Sequence, residues 1–373
     1  MTTVVDPSIA IIGSGPSGCY MAQFLRKRFA ESAITIFDRL PMPYGLVRFG
    51  VAPDHAGTKA VTQQFDRLFE RDGVIFQGNT EIGKDVSLQE IRDAFDIVVL
   101  ATGLSADRSI EIAGANLNGV YGSGRITRLI NGHPEEVIDG IELGNSVVIV
   151  GQGNVAIDLI RLSLTSADEL VNVGVDKDVA NLISSGNLKR VHVVGRSEIE
   201  NAKFDIAMIK ELSKLPNVSF HSDAGYGDQL DDDTQKRVDA INSLVENSPS
   251  NATRQVNFHF GWSPVEILGE HRVSNIVFKS NTNGTPLNIE TDAVFTAIGF
   301  TESEMSSIKR DSHLTSATNL ETGFLDDGLY CVGWLRRGPR GTIPANRADA
   351  KMVAETIIQD FENKQKMKEQ RES

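Results

Sequence analysis

Cysteine is nearly absent from this chain. Its 373 residues include two, Cys19 and Cys331, and no C-x-x-C pair. That excludes dithiol redox chemistry within the chain and leaves no cysteine set for zinc or an iron–sulfur cluster. Both thiols read as small core residues, and no metal site is expected. Aromatic residues are scarce, at 6%. Long apolar runs are missing too: the longest are strand-length and end in glycines, so no membrane-spanning helix is expected. No basic segment leads into an apolar stretch and cleavage site, so the expected compartment is the cytoplasm. Positive charge is in deficit, with a formal net charge of −13, which argues against a nucleic-acid partner. One local exception is the C-terminal run with Arg336, Arg337, Arg340 and Arg347, a candidate contact for phosphate or an acidic protein as well as an ordinary solvated loop.

What the chain does have is glycine in two telling places. Gly13-Ser14-Gly15-Pro16-Ser17-Gly18 follows the apolar strand 9–12 and opens a helix expected over 16–29. Gly151-Gln152-Gly153-Asn154-Val155-Ala156 follows strand 147–150 and opens a helix over 154–164. In such a turn the first glycine makes the bend, the second lets a pyrophosphate approach, and the third position lets helix and strand pack. The helix N-terminus adds unpaired N–H groups and the positive end of its dipole. The strand after the first turn, 34–38, ends in Asp38, whose carboxylate suits a free ribose diol; the strand after the second, 189–195, runs into Arg196, which suits a 2′-phosphate. Asp38 follows Gly18 by 20 residues, the usual offset of about 20. Arg196 follows Ala156 by 40, so the polar insertion 166–187 must loop out.

The remaining pattern supports an α/β chain of two Rossmann-like dinucleotide-binding domains, one inserted into the other. The first domain would comprise 1–104 and 301–373, the second 105–300. Helices are expected near 58–71, 88–95 (with Ser87 and Glu90 as a capping box), 204–214 and 346–361. Further strands are expected near 96–100, 256–260, 274–279, 292–297 and 329–332. The stretch 222–253 reads as surface loop and helix, and 363–373 as a fraying tail. The segment from Pro41 to His55 is rich in proline and glycine yet apolar, so it reads as a buried, rigid loop. His55 at its end is by itself as well explained as a structural histidine, and Asp158 as a helix surface residue.

Four segments together, PYGLVRFGVAPDH at 43–55, GQGNVAID at 151–158, VVGR at 193–196 and GWLRRGPRGTI at 333–343, closely resemble the adrenodoxin-reductase-type ferredoxin–NADP⁺ reductases. The match runs in order along nearly the whole chain. It implies a two-domain flavoprotein that holds FAD in the discontinuous domain and NADP(H) in the inserted one. Such a protein takes hydride at the flavin and passes single electrons to a ferredoxin-type iron–sulfur protein. By position, the resemblance implies FAD contacts at Ser17, Asp38, Leu46, Ile82, Trp334, Gly341, Thr342 and Ile343. It implies nicotinamide-dinucleotide contacts at Gln152, Gly153, Asn154, Val155, Arg196 and Gly341, with Ser197 beside them. His55 and Glu211 fall where the family has a histidine beside the flavin and a nearby carboxylate, a pair able to move protons, and Asp158 is a third candidate at the flavin.

The sequence departs from the family at the nicotinamide side. Ser197 stands where a second arginine is usual, followed by Glu198, Met208 replaces a glutamate, Pro344 replaces a glycine and Arg340 replaces a small polar residue. A serine carries no charge, and charge-assisted hydrogen bonds are about twice as strong as neutral ones, so NAD(H) becomes an alternative reductant. Arg337 or Arg340 is a candidate replacement for the lost arginine, and Lys236 and Arg237 are candidate contacts for an acidic protein. Two other readings stay open: a flavin oxidoreductase with a small-molecule acceptor, and an FAD-binding protein with an impaired nicotinamide site.

Overall fold

The computed structural model describes residues 6–184, 186–225, 230–304, 306–309 and 320–372. The chain divides into two compact units. One comprises 1–51, 55–106 and 300–373; the other comprises 52–54 and 107–299.

The sheet of the first unit has six strands in the order Phe324–Asp326, Leu329–Cys331, Ile97–Leu100, Ile9–Ile12, Ile34–Phe37 and Ile75–Gln77. All neighbours are parallel except the Phe324–Asp326 edge. The central strands Leu329–Cys331, Ile97–Leu100 and Ile9–Ile12 are apolar and buried throughout because both faces are covered. Ile9 and Ile11 enter one core with the helix Pro16–Arg28, while Ala10 and Ile12 enter another on the opposite face. The helix after Ser87 carries the capping box, with Ser87 and Glu90 bonded reciprocally. The expected helix near 58–71 is two, Ala56–Lys59 and Val61–Glu70.

Two expectations for this unit change. The segment 41–55 is not a plain loop: it contains the short helix Gly45–Phe49, entered through a left-handed Tyr44 at φ 91°. Tyr44, Val47 and Phe49 are buried, but Met42 is exposed. The tail is helical rather than irregular. One helix runs from Ile343 to Glu372. Ala350, Val353, Ala354 and Ile357 bury its early face against the core. Its later part is tied down by Tyr330 donating to Asp360 and by Arg28–Glu362 and Lys364–Asp327. The Glu, Gln, Lys and Met of this segment favour helix intrinsically.

The second unit has a six-stranded parallel sheet ordered Val120–Gly122, Ala293–Thr296, Ser146–Val150, Arg190–Gly195, Arg254–Phe260 and Val218–Ser222. An antiparallel sheet of Trp262–Leu268, Asn275–Ser280 and Pro286–Glu290 covers one face. The insertion 166–187 is not a free loop. It holds the helices Ala167–Asn172 and Lys177–Ile183, the first capped by Ser166 and Glu169. Leu170, Val175, Val179, Ala180 and Ile183 bury it in the main core. The helix expected near 204–214 is Ile206–Glu211 followed by a tight turn, Leu212–Lys214. In the stretch 222–253 the helix is Asp232–Glu246.

Candidate functional site

In the first unit the glycine turn is fixed by contacts that only glycine permits. Gly13 has φ 111°, and a Cβ there would lie 2.4 Å from the Ala101 carbonyl oxygen. A Cβ on Gly18 would lie 2.0 Å from the Gly13 carbonyl oxygen. Gly15 is different: nothing stands within 4 Å of its Cβ position, so open space lies over the N-terminus of helix Pro16–Arg28. Pro16 occupies the first turn and no side chain caps that end. Its donors are therefore left for an anion.

The apolar segment and the C-terminal quarter close around this turn. Tyr44 N–H donates to the Ser14 carbonyl at 3.0 Å, and a Cβ on Gly45 would be 3.1 Å from Gly15 Cα. Leu46 is half-buried and Ile82 is buried in the core of the sheet's second face. Gly333 takes φ 72°, and a Cβ there would be 2.2 Å from the Ser17 hydroxyl, which brings Ser17 beside Trp334. The Trp334 indole stacks on Phe300 at 5.7 Å, and its Nε1 is buried with no hydrogen-bond partner among the described residues. Gly341 (φ 86°) and Thr342 lead into Ile343, the first residue of the long helix. A dinucleotide bearing a large polar ring would fill the open space over Gly15 and satisfy the buried indole donor, so these residues fit FAD.

Asp38 is tied to its own chain. One carboxylate oxygen accepts from the Ser14 N–H at 2.9 Å and from the Ser14 hydroxyl, the other from the Leu40 N–H at 2.9 Å. A carboxylate offers about four acceptor positions, so capacity for a ribose hydroxyl is left. The arginine run is likewise spent inward. Asp349, 6% exposed, accepts from the Gly333 N–H at 2.6 Å and from Arg336 Nε at 3.1 Å, and pairs with Arg337 at 3.2 Å. Arg337 also donates to Asn346 at 2.6 Å and to the Arg340 carbonyl at 2.9 Å. Arg337 is therefore a brace of the first unit rather than a replacement phosphate ligand. Arg340 and Arg347 are exposed. Burial holds the Cys19 thiol well above its usual range, with the Asp38 charge adding to the shift, which fits a packing role.

The second turn repeats the geometry. Gly151 has φ 124°, and a Cβ would lie 2.1 Å from the Ala297 carbonyl oxygen. Gly153 is open, with nothing within 4 Å, and helix Asn154–Leu164 has no side-chain cap. Ala156 is fully buried and Val155 packs against the core. Gln152 turns inward: its Nε2 donates to the His259 carbonyl at 2.7 Å, while its buried Oε1 has no partner among the described residues and lies 1.9 Å from where a Gly195 Cβ would be. Asn154 Oδ1 accepts from the Asp205 N–H at 2.7 Å. Arg196 is exposed at the strand end and its carbonyl accepts from Asn281 at 2.7 Å. Ser197 accepts from the Gly261 N–H at 3.1 Å. The Glu198 carboxylate sits against Gly261, with Oε1 2.1 Å from the glycine's Cβ position.

The expected carboxylates Asp158 and Glu211 meet on Arg161, a residue the sequence reading missed. Its side chain is 9% exposed and pairs with Asp158 at 2.7 Å, Glu211 at 3.6 Å and Asp54. Burial lowers the affinity of this guanidinium for its proton while Glu211 raises it. Arg161 thus fastens the segment 52–54 and the helix Ile206–Glu211 to the second turn's helix. His55 follows that segment in sequence, is half-buried and begins the helix Ala56–Lys59, its carbonyl accepting from Lys59 at 3.1 Å. A second missed group is a chain of rings. His192 Nδ1 and His259 Nε2 are 3.1 Å apart in stacked rings, and Asp223 reaches His259 Nδ1 at 2.8 Å and Trp262 Nε1 at 3.1 Å. Burial, then the neighbouring His259 and Arg190, pushes His192 down to about 4. Nothing in the spacing of these residues marks them, because they come from separate strands.

Three comparisons bear on this arrangement. Residues 7–235 match the family described as pyridine nucleotide-disulphide oxidoreductase. Cindoxin reductase of Citrobacter braakii is 45% identical over 364 residues, covering 95% of this chain and 78% of that protein. The mitochondrial NADPH:adrenodoxin oxidoreductase of Bos taurus is 30% identical over 388 residues, covering 95% and 79%. The structure of Mycobacterium tuberculosis FprA in complex with NADPH superimposes with a TM-score of 0.89 at 28% identity, covering 97% of this chain and 86% of FprA. Thioredoxin reductase from Lactococcus lactis shares the fold at 15% identity and a TM-score of 0.53. The α/β architecture of two dinucleotide-binding folds is thus that of solved relatives. The chain belongs to the pyridine nucleotide–disulphide oxidoreductase family and, within it, to the adrenodoxin-reductase type.

Proposed function

We propose that this protein is an NADPH-dependent flavoprotein reductase that passes electrons through FAD to a ferredoxin-type iron–sulfur protein. Its first unit would hold FAD and its second NADP(H). The carrying observation is the pair of glycine turns: one chain has two open pyrophosphate seats, over Gly15 and over Gly153, beside an acid at Asp38 and a base at Arg196. The relatives' names fit this reading, since one pairs NADPH with adrenodoxin and both carry the word reductase. FAD, when bound, would supply the conversion of a two-electron hydride into single electrons.

The chain's own residues bind and orient. Gly15 and the N–H groups beyond Pro16 would hold the flavin pyrophosphate, and Asp38 the adenosine ribose. Leu46, Ile82, Trp334 and Gly341 to Ile343 would shape the flavin pocket. Gln152 to Val155 and Arg196 would hold the nicotinamide dinucleotide, Gln152 through its backbone because its side chain is turned inward. His55 is the proposed proton-handling group; a His55→Ala variant with unchanged flavin reduction and reoxidation rates would remove that role. The acceptor is proposed by class only, because the relatives' names carry two different ones, cindoxin and adrenodoxin. On the helix Asp232–Glu246, Lys236 is exposed and Arg237 half-buried, lightly held by Asp233 and the Glu200 carbonyl, and the pair suits an acidic partner. No helix among the described residues is long and apolar enough to cross a membrane. We propose the cytoplasm as the compartment, in keeping with two buried cysteines that form no disulfide.

The test is anaerobic. Purified protein is mixed with NADPH or NADH, the flavin absorbance is followed, and an oxidised ferredoxin is then added. Fast bleaching by NADPH and prompt reoxidation by ferredoxin is the expected result. Bleaching without reoxidation by any ferredoxin would move the reading to a small-molecule acceptor. No bleaching by either nucleotide would leave an FAD protein with an impaired nicotinamide site.

A further inference from the structure

The second glycine turn has a neighbour that the dinucleotide fingerprint does not include. Lys203 forms a bridge with Gly153 in the parallel sense, and two residues on, the Asp205 N–H donates to Asn154 Oδ1 at 2.7 Å. The segment 203–205 is therefore stapled to the turn at two successive points. Lys203 is exposed, and its ammonium has no ion-pair or hydrogen-bond partner among the described residues. The acid nearest in sequence, Asp205, caps its own helix through the Ala207 N–H at 2.8 Å. The space over Gly153 is empty to 4 Å. An unspent cation, on a segment fastened to the turn, thus flanks an open glycine seat.

We propose that Lys203 is a phosphate-binding and affinity-determining residue of this site, its ammonium neutralising the pyrophosphate bridge of the nicotinamide dinucleotide. The inference rests on the reading of the second turn as the nicotinamide-dinucleotide seat. A lysine acts on phosphate as a compact charge on a flexible four-carbon stem, which suits an exposed position beside the turn. The position is on the pyrophosphate side: Gly153 is the glycine over which a pyrophosphate lies, whereas the 2′-phosphate lies at the end of the following strand, at Arg196. NAD and NADP share the pyrophosphate and differ only at the 2′ position. Lys203 therefore strengthens both, and Arg196 alone separates them. With Ser197 in place of a second base, this site has one cation for selectivity and one for grip.

Calorimetric titration of the oxidised flavoprotein tests this without turnover, using NADP⁺, NAD⁺ and adenosine 2′-phosphate as probes. Lys203→Ala should weaken NADP⁺ and NAD⁺ by the same factor, about five- to tenfold for a partly exposed charge pair. It should leave adenosine 2′-phosphate unchanged, and Lys203→Arg should restore most of the loss. Arg196→Ala should weaken NADP⁺ and adenosine 2′-phosphate and spare NAD⁺. If Lys203→Ala weakens NADP⁺ alone, the lysine serves the 2′-phosphate and the pyrophosphate assignment is overturned. If it weakens neither, Lys203 has no ligand role. A wild-type protein that binds no probe would instead remove the reading of the turn itself. An unchanged flavin spectrum shows that each variant is folded.

Discussion

The two glycine turns are alike at the bend and opposite at the strand that follows. A Cβ would lie 2.4 Å from a carbonyl oxygen at Gly13 and 2.1 Å at Gly151, so both bends exclude any other residue. Past the bend, Asp38 is knotted back onto its own turn through Ser14 and Leu40, and Gly333 and Gly45 press on it from distant parts of the chain. Arg196 is exposed and, among the described residues, held only through its backbone carbonyl. The acid beside the first seat is tied into its own unit, while the base beside the second is exposed. The contrast fits a retained cofactor in the first and an exchanging nucleotide in the second, under the function proposed above.

The sharpest way to break this comparison is to close each turn in turn. Gly13→Ala and Gly151→Ala each force a side chain into a positive φ and a carbonyl. Each local clash and strain should cost about 3 kcal/mol or more. We expect Gly13→Ala to purify colourless. Gly151→Ala should stay yellow but resist bleaching by NADPH. A Gly151→Ala protein without flavin would show that the seats are not separate.

Next in size is Arg161→Met. It leaves Asp54, Asp158 and Glu211 facing one another without their cation, which should destabilise the protein by about 3 kcal/mol. Denaturant unfolding checks it. Retained stability would mean that the three carboxylates are well solvated.

A smaller effect sharpens the comparison at the open seat. Ser197→Arg should raise the preference for NADP⁺ over NAD⁺ about five- to tenfold, near 1 kcal/mol, through one added charge-assisted contact. An unchanged ratio of the two dissociation constants would show that position 197 does not reach the 2′-phosphate.

The smallest effect at neutral pH concerns His192. Its folded pKa lies near 4 through burial, below the unfolded value of about 6.5. Between those values the unfolded chain binds the extra proton, so the contribution to stability is complete above about pH 6.5 and is lost as pH falls towards 4. His192→Gln should remove that part of the slope and leave stability near pH 8 little changed. An identical fall in variant and wild type over this window would refute it.

Much of this molecule was legible from its residues. Both bends, their strands and helices, and the Ser87 cap follow from patterns confined to a few neighbouring positions. The misses come from contacts between distant positions. Arg161 draws partners from 54, 158 and 211. Asp349 engages Arg336 and Arg337, so a run of surface-looking arginines is an internal brace. Gln152 belongs to the fingerprint, yet its amide is drawn inward by a carbonyl on another strand. The insertion 166–187 reads as polar, but its few apolar residues fall on the faces of two helices. A capping box at Ser166 and Glu169 marked the first, a local signal of the same kind as the one at Ser87. The tail's helix was hidden by its charge, while its helix-forming residues and the tie from Lys364 to Asp327 favour it.

The placement of Gly333 against Ser17 has a consequence for how the protein is made. Four strands of the first sheet are synthesised by residue 100, but Leu329–Cys331 and the loop at Gly333 come only after the whole of 107–299 has emerged. At bacterial and eukaryotic translation rates the gap is about ten to forty-five seconds. Before it ends the inserted unit has every residue of its parallel sheet, while the first is still an unfinished half with a bare edge at Ile97–Leu100. The order of birth is thus the reverse of the order of sequence: the unit that starts second is completed first. The flavin seat is sealed only once Gly333 has been added.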